Sequence, residues 1–320
     1  MSVQVRSYGK INIGLCIGAK RASGYHELRT VYQTIALHDQ VRVEMGRGAG
    51  IEIRCRDPRV PLDESNTCWR VAERVMKALK VRRRVRIEIE KRLPVQGGLG
   101  AASSNAVATM LGMERALRQA LTAEQRWQIA ADVGSDLNLF LLGGTVLGAG
   151  RGEEVFPLPD LPAMDCVLAL PEVGVSTPQA FARWDAKLTE ASASDRMMMF
   201  SRRVFAWLAG SISGVPAGGK TPKGGNRAET LLLDLVRAGI ENDFERVIFP
   251  ECPELGEVKR VLEHAGAKYS SLSGSGSTLY GLFTARERAK QVTAALKRKG
   301  VAAQLTRTLS RAEFWKTIFD

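Results

Sequence analysis

Pro94-Val-Gln-Gly-Gly-Leu-Gly-Ala-Ala-Ser-Ser-Asn105, followed by an Ala-rich run with helical spacing, is the stretch on which the reading of this 320-residue chain turns. Gly97, Gly98 and Gly100 let backbone N–H groups approach an anion that a Cβ would keep away. The helix behind them offers the positive end of its dipole to the same place. The pattern is that of a phosphate cradle opening onto a helix, and an ATP phosphate chain fits it. Neither common Gly-rich fingerprint matches: no Gly-Lys-Ser/Thr closes the loop as in a P-loop, and the Gly-x-Gly-x-x-Gly dinucleotide spacing is missing. Taken alone, the segment also fits an ordinary tight turn before a helix.

Two further segments bear on that choice. Lys10-Ile-Asn-Ile-Gly-Leu15 lies in an otherwise apolar, alternating stretch from Val3 to Ile17. On a half-buried strand Lys10 and Asn12 share one side and aim a cation and an amide at one point. A lysine on the solvated face of an edge strand is the alternative. Gly134-Ser-Asp-Leu-Asn-Leu-Phe140 places an acidic residue at a Gly-Ser turn ahead of an apolar run, where Ser135 or Asp136 also fits as an N-cap. Three such features in one chain are much less probable by chance than any one.

With these residues in view, the chain resembles the GHMP small-molecule kinase superfamily and, within it, the 4-diphosphocytidyl-2-C-methyl-D-erythritol kinase branch. Lys10 to Leu15 and Gly18-Ala-Lys-Arg-Ala-Ser-Gly-Tyr-His-Glu-Leu28 resemble the first motif, and Gly24-Tyr-His26 separates that branch from mevalonate, homoserine and galactose kinases. Residues 94–105 resemble the second motif and Ser273-Gly-Ser-Gly-Ser-Thr-Leu-Tyr280 the third. Asn242-Asp-Phe-Glu245, with the helical pattern Glu254 to Ala265, resembles the C-terminal half.

The resemblance implies an α+β, two-domain GHMP kinase fold, with a ribosomal S5-like N-terminal domain over 1–160 and a ferredoxin-like C-terminal domain over 161–320. It implies an enzyme that uses ATP and Mg²⁺ to phosphorylate the 2-hydroxyl of a cytidine-diphosphate-linked methylerythritol in non-mevalonate isoprenoid biosynthesis. Lys10 and Asp136 become the catalytic pair. Asn66, Pro94, Gly97, Gly98, Leu99, Gly100, Ala101, Ala102, Ser103, Ser104 and Asn105 become the ATP site, with Asn66 on the adenine side. Asn12 would hold the methylerythritol end, Tyr25 and Phe181 would stack on the cytosine, and His26 would hydrogen-bond its edge. No residue is assigned as a metal ligand, and a monomer or weak homodimer is expected. Two departures stand out: Gly100-Ala-Ala-Ser-Ser where the branch has Gly-Gly-Gly-Ser-Ser, and Asn138 where it has proline. The stretch from Ala191 to Arg227 has no match to the family pattern.

Composition is compatible with this. Hydrophobic residues make up 45% of the chain, enough for two cores, and a net charge of +12 suits anionic partners. The cationic run Lys80 to Arg86 leads straight into a strand pattern and lacks the accompaniments of a nucleic-acid reader, so it reads as a solvated face and nucleic acid is not expected as a partner. A basic, S5-like RNA-binding protein is kept as the alternative from another class, beside a mevalonate-type or homoserine-type kinase. Five scattered cysteines without a Cys-x-x-Cys pair argue against a disulfide framework and a structural zinc site, and point to a reducing cytoplasm. No apolar stretch approaches membrane-spanning length, so no membrane partner is expected.

The periodicities predict strands at Val3–Ile17, Val31–Gln33, Gln40–Glu44, Ile51–Cys55, Val85–Ile89 and Cys166–Leu170. They predict helices at Thr67–Leu79, Ser103–Gln119 and Thr122–Asp132, the last with a Thr122/Gln125 capping box. Pro157 to Pro162 reads as a turn-rich boundary, Gly210 to Asn226 as a mobile loop, and Met197-Met-Met199 as helix core. Gly219-Lys-Thr221 does not read as a P-loop, because no strand precedes it and no helix pattern follows.

Overall fold

The chain begins with a long antiparallel hairpin, β1 (Ser2–Lys20) against β2 (His26–Gly46), around which everything else is arranged. The computed structural model describes residues 2–22, 24–187, 190–213 and 240–319; the Gly219-Lys-Thr221 segment and most of the loop expected from Gly210 to Asn226 lie outside them. Among the described residues β3 (Gly50–Cys55), β4 (Arg84–Glu90), β5 (Thr145–Ala149) and β6 (Glu154–Pro157) complete the first sheet in the order β3-β4-β2-β5-β6, with β1 on β2. The second sheet, β10-β7-β9-β8, is built from β7 (Asp165–Leu170), β8 (Tyr269–Leu272), β9 (Leu279–Phe283) and β10 (Ala302–Arg307).

One expectation is corrected here. The segments Val31–Gln33 and Gln40–Glu44 belong to a single strand, β2, which runs on through Thr34 to Asp39. Between Tyr8 and Gly9 the register jumps from His38 to Ile35, a bulge that re-aims β1. Before it, Val3, Val5 and Tyr8 face the first core; after it, Ile11, Ile13 and Cys16 join a second, while Leu15 and Ile17 reach a third. One strand therefore threads all three cores, which explains its near-continuous burial.

The first core lies between the first sheet and α1 (Thr67–Leu79), α2 (Ala101–Leu117), α3 (Ala123–Val133) and α4 (Leu137–Leu142). Cys68, Val71, Ala72 and Val75 form the apolar stripe of α1, spaced i, i+3, i+4 and i+7. In α3 the Thr122/Gln125 capping box forms as expected, an end worth about 1 kcal/mol. Helix α2 is buried almost all round, and a Cβ on Gly112 would come within 2.8 Å of Val43 Cγ2, so this glycine lets the helix lie against β2.

The second sheet has helices on its far face: α5 (Thr177–Asp185), α7 (Glu245–Ile248), α8 (Pro253–His264) and α9 (Arg286–Arg298). Alternation along β7 sends Cys166 and Leu168 to the inter-sheet core, and Val167 and Ala169 to the helices, so the strand reads as a continuous apolar run. Helix α6 (Glu190–Ser213) seals the inter-sheet core with Met197, Phe200, Val204 and Trp207. The methionine triplet is only one-third core: Met197 is buried, while Met198 and Met199, about 100° further round the helix at each step, are exposed. Helix α6 also takes in Gly210 to Ser213, read from the sequence as loop.

The last helix, α10 (Arg311–Thr317), returns to the first core, where Phe314 and Ile318 are buried. Gln33 Nε2 donates to Leu309 O at 2.7 Å and Leu309 N to Thr34 O at 2.9 Å, tying that return to β2. No described helix is long and apolar enough to cross a membrane.

Candidate active site

The glycine cradle lies where the two sheets meet. Gly98 (φ +75°) and Gly100 (φ +69°) adopt left-handed backbone, and Gly100 stands at the N-terminus of α2 with no side-chain cap, so the first amides of the helix are free for a ligand. A Cβ on Gly98 would sit 2.0 Å from the Ser273 carbonyl oxygen, because the second Gly-rich turn, Ser273 to Thr278, packs directly on the first. Ser273 Oγ donates to Gly98 O at 2.9 Å and locks the two together. Lys10 N donates to Leu99 O at 2.9 Å, which ties the cradle to β1.

A cleft of about 400 Å³ opens from the cradle, lined by Pro94 to Ser103, Asn105, Asn66 and Thr67, with Val60, Pro61 and Ile89 as its apolar side. Nearly all the residues expected to hold ATP thus line one cavity. Ser104 does not line it; its hydroxyl oxygen accepts from Ser7 Oγ at 2.8 Å beneath the helix. Asn66 is also engaged elsewhere: its Oδ1 accepts from Cys68 N at 2.8 Å and caps α1, while its Nδ2 donates to Pro61 O at 2.6 Å. Asn66 therefore shapes the cleft by holding the 61–67 turn.

Asp39, absent from the sequence reading, braces the cradle from behind. Its carboxylate has no solvent exposure and accepts from Arg92 N and Leu93 N, both at 2.7 Å, from Asn105 Nδ2 at 3.1 Å, and from the Lys91 ammonium. One carboxylate so fixes the chain entering the loop and the helix leaving it. The only sequence trace of this role is an acidic residue beside an alternating strand, which reads as solvent-facing.

Lys10 and Asn12 share a side of β1 as the spacing requires, and Lys10 Nζ donates to Asn12 Oδ1 at 2.7 Å. The same ammonium lies 3.5 Å from Asp136 Oδ2 and 5.5 Å from the centroid of the Tyr32 ring. Burial lowers the Lys10 pKa below its usual value, and the Asp136 charge opposes that shift. Asp136 makes no capping bond to α4; its Oδ1 accepts from Tyr32 Oη at 3.0 Å, and its side chain is 31% exposed. A buried cation and a reachable carboxylate thus meet beside the cradle: the ideal Cβ of Gly100 would touch Lys10 Cγ at 3.1 Å. Tyr32, also absent from the sequence reading, holds the carboxylate, and burial followed by the Asp136 charge raises its own pKa far above normal. Asn12 Nδ2 donates to Thr30 Oγ1 at 2.8 Å, which fixes the amide that orients Lys10.

On the other side of the pair are Tyr25, His26 and Phe181. Tyr25 is 55% exposed at the tip of the β1–β2 hairpin, with the Arg151 guanidinium 5.1 Å from its ring centroid. His26 is buried, its Nε2 donates to Asp185 Oδ1 at 2.5 Å, and Phe181 stacks on it with centroids 4.7 Å apart at 8°. The structure brings His26 and Phe181 into mutual contact and leaves Tyr25 apart, over Arg151. Asn138, the departure from proline, ties α4 to the turn between β5 and β6, its Nδ2 donating to Glu153 O at 3.0 Å.

Comparison with known proteins follows this geometry. Residues 66–144 match the model described as GHMP kinases N terminal domain, and residues 228–302 that of GHMP kinases C terminal. A protein of Solibacter usitatus named 4-diphosphocytidyl-2-C-methyl-D-erythritol kinase is 34% identical over 284 residues, covering 88% of this chain and 81% of its own. A crystal structure of 4-(cytidine 5'-diphospho)-2C-methyl-D-erythritol kinase superposes with a TM-score of 0.70 at 27% identity, covering 95% of this chain and 98% of the other. The homoserine kinase of Cytophaga hutchinsonii shares the fold with a TM-score of 0.73 at 20% identity, covering 97% of this chain and 95% of its own. The α+β GHMP kinase fold expected from the sequence, observed as a mixed two-sheet architecture, is the one these structures share.

Proposed function

Because the chain belongs to the GHMP kinase family of ATP-dependent small-molecule kinases, we propose that it transfers the γ-phosphate of ATP to the 2-hydroxyl of 4-diphosphocytidyl-2-C-methyl-D-erythritol, a step of isoprenoid biosynthesis. The observation that carries the transfer chemistry is the buried Lys10 ammonium, 3.5 Å from the Asp136 carboxylate at the mouth of the glycine cradle. The acceptor is supported by similarity along most of the chain to the Solibacter usitatus protein named for it.

Phosphoryl transfer needs positioning and charge neutralisation more than covalent help from the protein. Gly97 to Ala102 present backbone N–H groups to the β- and γ-phosphates, and the start of α2 adds its dipole. Asp136, oriented by Tyr32, takes the proton of the substrate hydroxyl as that oxygen bonds the γ-phosphorus and the bond to the leaving oxygen of ADP breaks. Lys10, held by Asn12, stabilises the negative charge that develops on the transferring group; burial strengthens this interaction, since little water screens it. For the cytosine, the exposed ring of Tyr25 offers one side of an aromatic wall and the stacked His26 and Phe181 the other, while Asn12, buried with both amide atoms engaged, serves the methylerythritol end by holding Lys10.

Mg²⁺ accompanies ATP in this reading, neutralising phosphate charge when bound. Ser103, which lines the cleft at the start of α2, would offer Mg²⁺ a hydroxyl oxygen of the kind it takes together with phosphate oxygens and water. All five cysteines are free thiols, in keeping with a reducing cytoplasm as the place of action.

A GHMP kinase for another small alcohol is the second reading, favoured by the equally good superposition of the homoserine kinase. ADP release measured with the cytidine-linked substrate, mevalonate and homoserine decides between them. Turnover confined to the first supports the proposal. Turnover with another acceptor moves the chain to that branch, and no turnover with any, accompanied by salt-sensitive RNA binding, would replace the kinase reading with the S5-like one.

A further inference from the structure

The proposed acceptor has a hydroxyl at one end, a cytosine at the other and a diphosphate between them. Lys10 and Asp136 meet the first and the aromatic wall meets the second. The diphosphate needs a cation located between the two, with donors to spare. The charged groups bordering that space are mostly committed: Arg21 pairs with Glu27, Lys20 with Asp185 at 3.7 Å, and Arg29 donates to Ser201.

Arg151 is differently placed. It lies on the turn Gly150 to Glu153, between β5 and β6. That turn abuts the catalytic pair: a Cβ on Gly152 would lie 2.6 Å from Tyr32 Oη and 3.7 Å from Asp136 Oδ1. The Arg151 guanidinium reaches the other way, over the Tyr25 ring. One residue so spans the interval between the transfer point and the base wall, which is the interval the diphosphate must cross.

Its surroundings hold it ready. Glu153 accepts from Arg151 N at 2.6 Å through Oε2 and from Arg151 Nε at 3.0 Å through Oε1, fixing the side chain at its backbone and at the near edge of the guanidinium. Both terminal Nη groups have no hydrogen-bond partner among the described residues, and the side chain is 33% exposed. Leu28 N donates to Gly150 O at 2.6 Å, and Asn138 pins the turn from α4. A guanidinium restrained on one edge and open on the other matches two phosphate oxygens side by side.

We infer that Arg151 binds the diphosphate bridge of the acceptor, an assignment that rests on the substrate reading given above. Glu153 and Asn138 position it, and Tyr25 couples the diphosphate contact to the base contact.

Calorimetric titration of wild type, Arg151→Ala and Arg151→Lys with cytidine, CMP and CDP tests this, with ATP binding as the check on folding. Wild type should bind CDP more tightly than cytidine. Arg151→Ala should lose about tenfold to hundredfold in CDP affinity, the loss expected for hydrogen bonds to a charged group, while cytidine affinity and ATP affinity hold. Arg151→Lys should fall between, keeping a charge without the planar fork. An equal loss for CDP and cytidine would mean that Arg151 acts only by propping Tyr25, and an unchanged CDP affinity would remove it from the site; either overturns the assignment. If wild type binds no cytidine nucleotide at all while still binding ATP, the substrate reading fails first and takes this one with it.

Discussion

Replacing Asp39 tests whether the cradle is held from behind. In Asp39→Asn the remaining Oδ1 still accepts from Arg92 N and Leu93 N, but the new Nδ2 faces two former donors, Lys91 Nζ and Asn105 Nδ2. The second conflict resolves cheaply: Asn105 Oδ1 is buried without a partner, so turning that amide over presents an acceptor to the new donor. The first does not. Lys91, only 10% exposed, loses its counter-charge, at a cost of about 3 kcal/mol, the low end for breaking a buried pair because its head can move toward the cleft. Asp39→Ala also strands the two backbone amides, at about 1 kcal/mol each or more, so it should cost about 2 kcal/mol beyond the asparagine variant. Equilibrium urea unfolding measures both, and ATP titration at a urea concentration where each variant is folded reads the cradle. The alanine variant should bind ATP more weakly than the asparagine variant, since only the latter keeps the Arg92 and Leu93 amides in place. Losses below about 1 kcal/mol for both, or equal ATP affinity in the two, would refute the bracing role.

Three other outcomes are expected. Gly98→Ala should lose most ATP affinity, because the left-handed φ strains any Cβ and this one meets a backbone oxygen at 2.0 Å; a variant binding ATP like wild type would show that the second turn yields. Because the Lys10 pKa is lowered in the folded state, its charged form is disfavoured on folding. That cost is fully present below the folded pKa and fades as pH rises toward the unfolded value near 10.5. Lys10→Met should accordingly keep or raise the urea midpoint at neutral pH while losing turnover, and the alkaline limb of the wild-type kcat/KM profile, which reports the free enzyme, should fall below pH 10.5; a lower midpoint, or a limb at or above 10.5, would contradict this. Burial pushes the Cys16 and Cys68 thiols up to about 12 and raises Cys166 further, and partial burial with Glu254 and Glu251 nearby also raises Cys252, so a thiol reagent at pH 8 should label the half-buried Cys55 first and Cys252 more slowly, leaving the three buried thiols unlabelled in the native protein; peptide mapping that finds Cys16, Cys68 or Cys166 labelled first would contradict this.

Much of this site was legible in the sequence because its parts are local. The loop from Pro94 to Asn105 carries its own conformational requirement in Gly98 and Gly100, and Lys10 and Asn12 lie two residues apart on one strand, so their meeting follows from strand geometry. Helices α1 and α3 were readable for a similar reason, their caps and apolar stripes being written within a few positions. What was not legible depends on distant partners. Asp39 gains its meaning from residues 52 to 66 positions away, and Tyr32 from Asp136, 104 positions away. Strand β2 reads as two pieces because its middle, Thr34 to Asp39, passes the β1 bulge and is met by the returning chain at Thr308 and Leu309, so no alternation between wet and dry faces survives there. The Asn138 departure, puzzling in the sequence, becomes a hydrogen bond to Glu153 once the β5–β6 turn is seen to lie against α4.

The account rests on Asp136 receiving a proton from the substrate hydroxyl beside Lys10. Single-turnover transfer of the γ-phosphate to 4-diphosphocytidyl-2-C-methyl-D-erythritol, by wild type and by Asp136→Asn at saturating ATP, tests that most directly. The asparagine keeps the shape and an acceptor for Tyr32 Oη but cannot take the proton, so the rate of transfer should fall by about 10² to 10⁴ while ATP affinity is kept. A variant that transfers phosphate within about threefold of wild type, less than 1 kcal/mol in the barrier, would contradict the assignment of the carboxylate and with it the proposed mechanism.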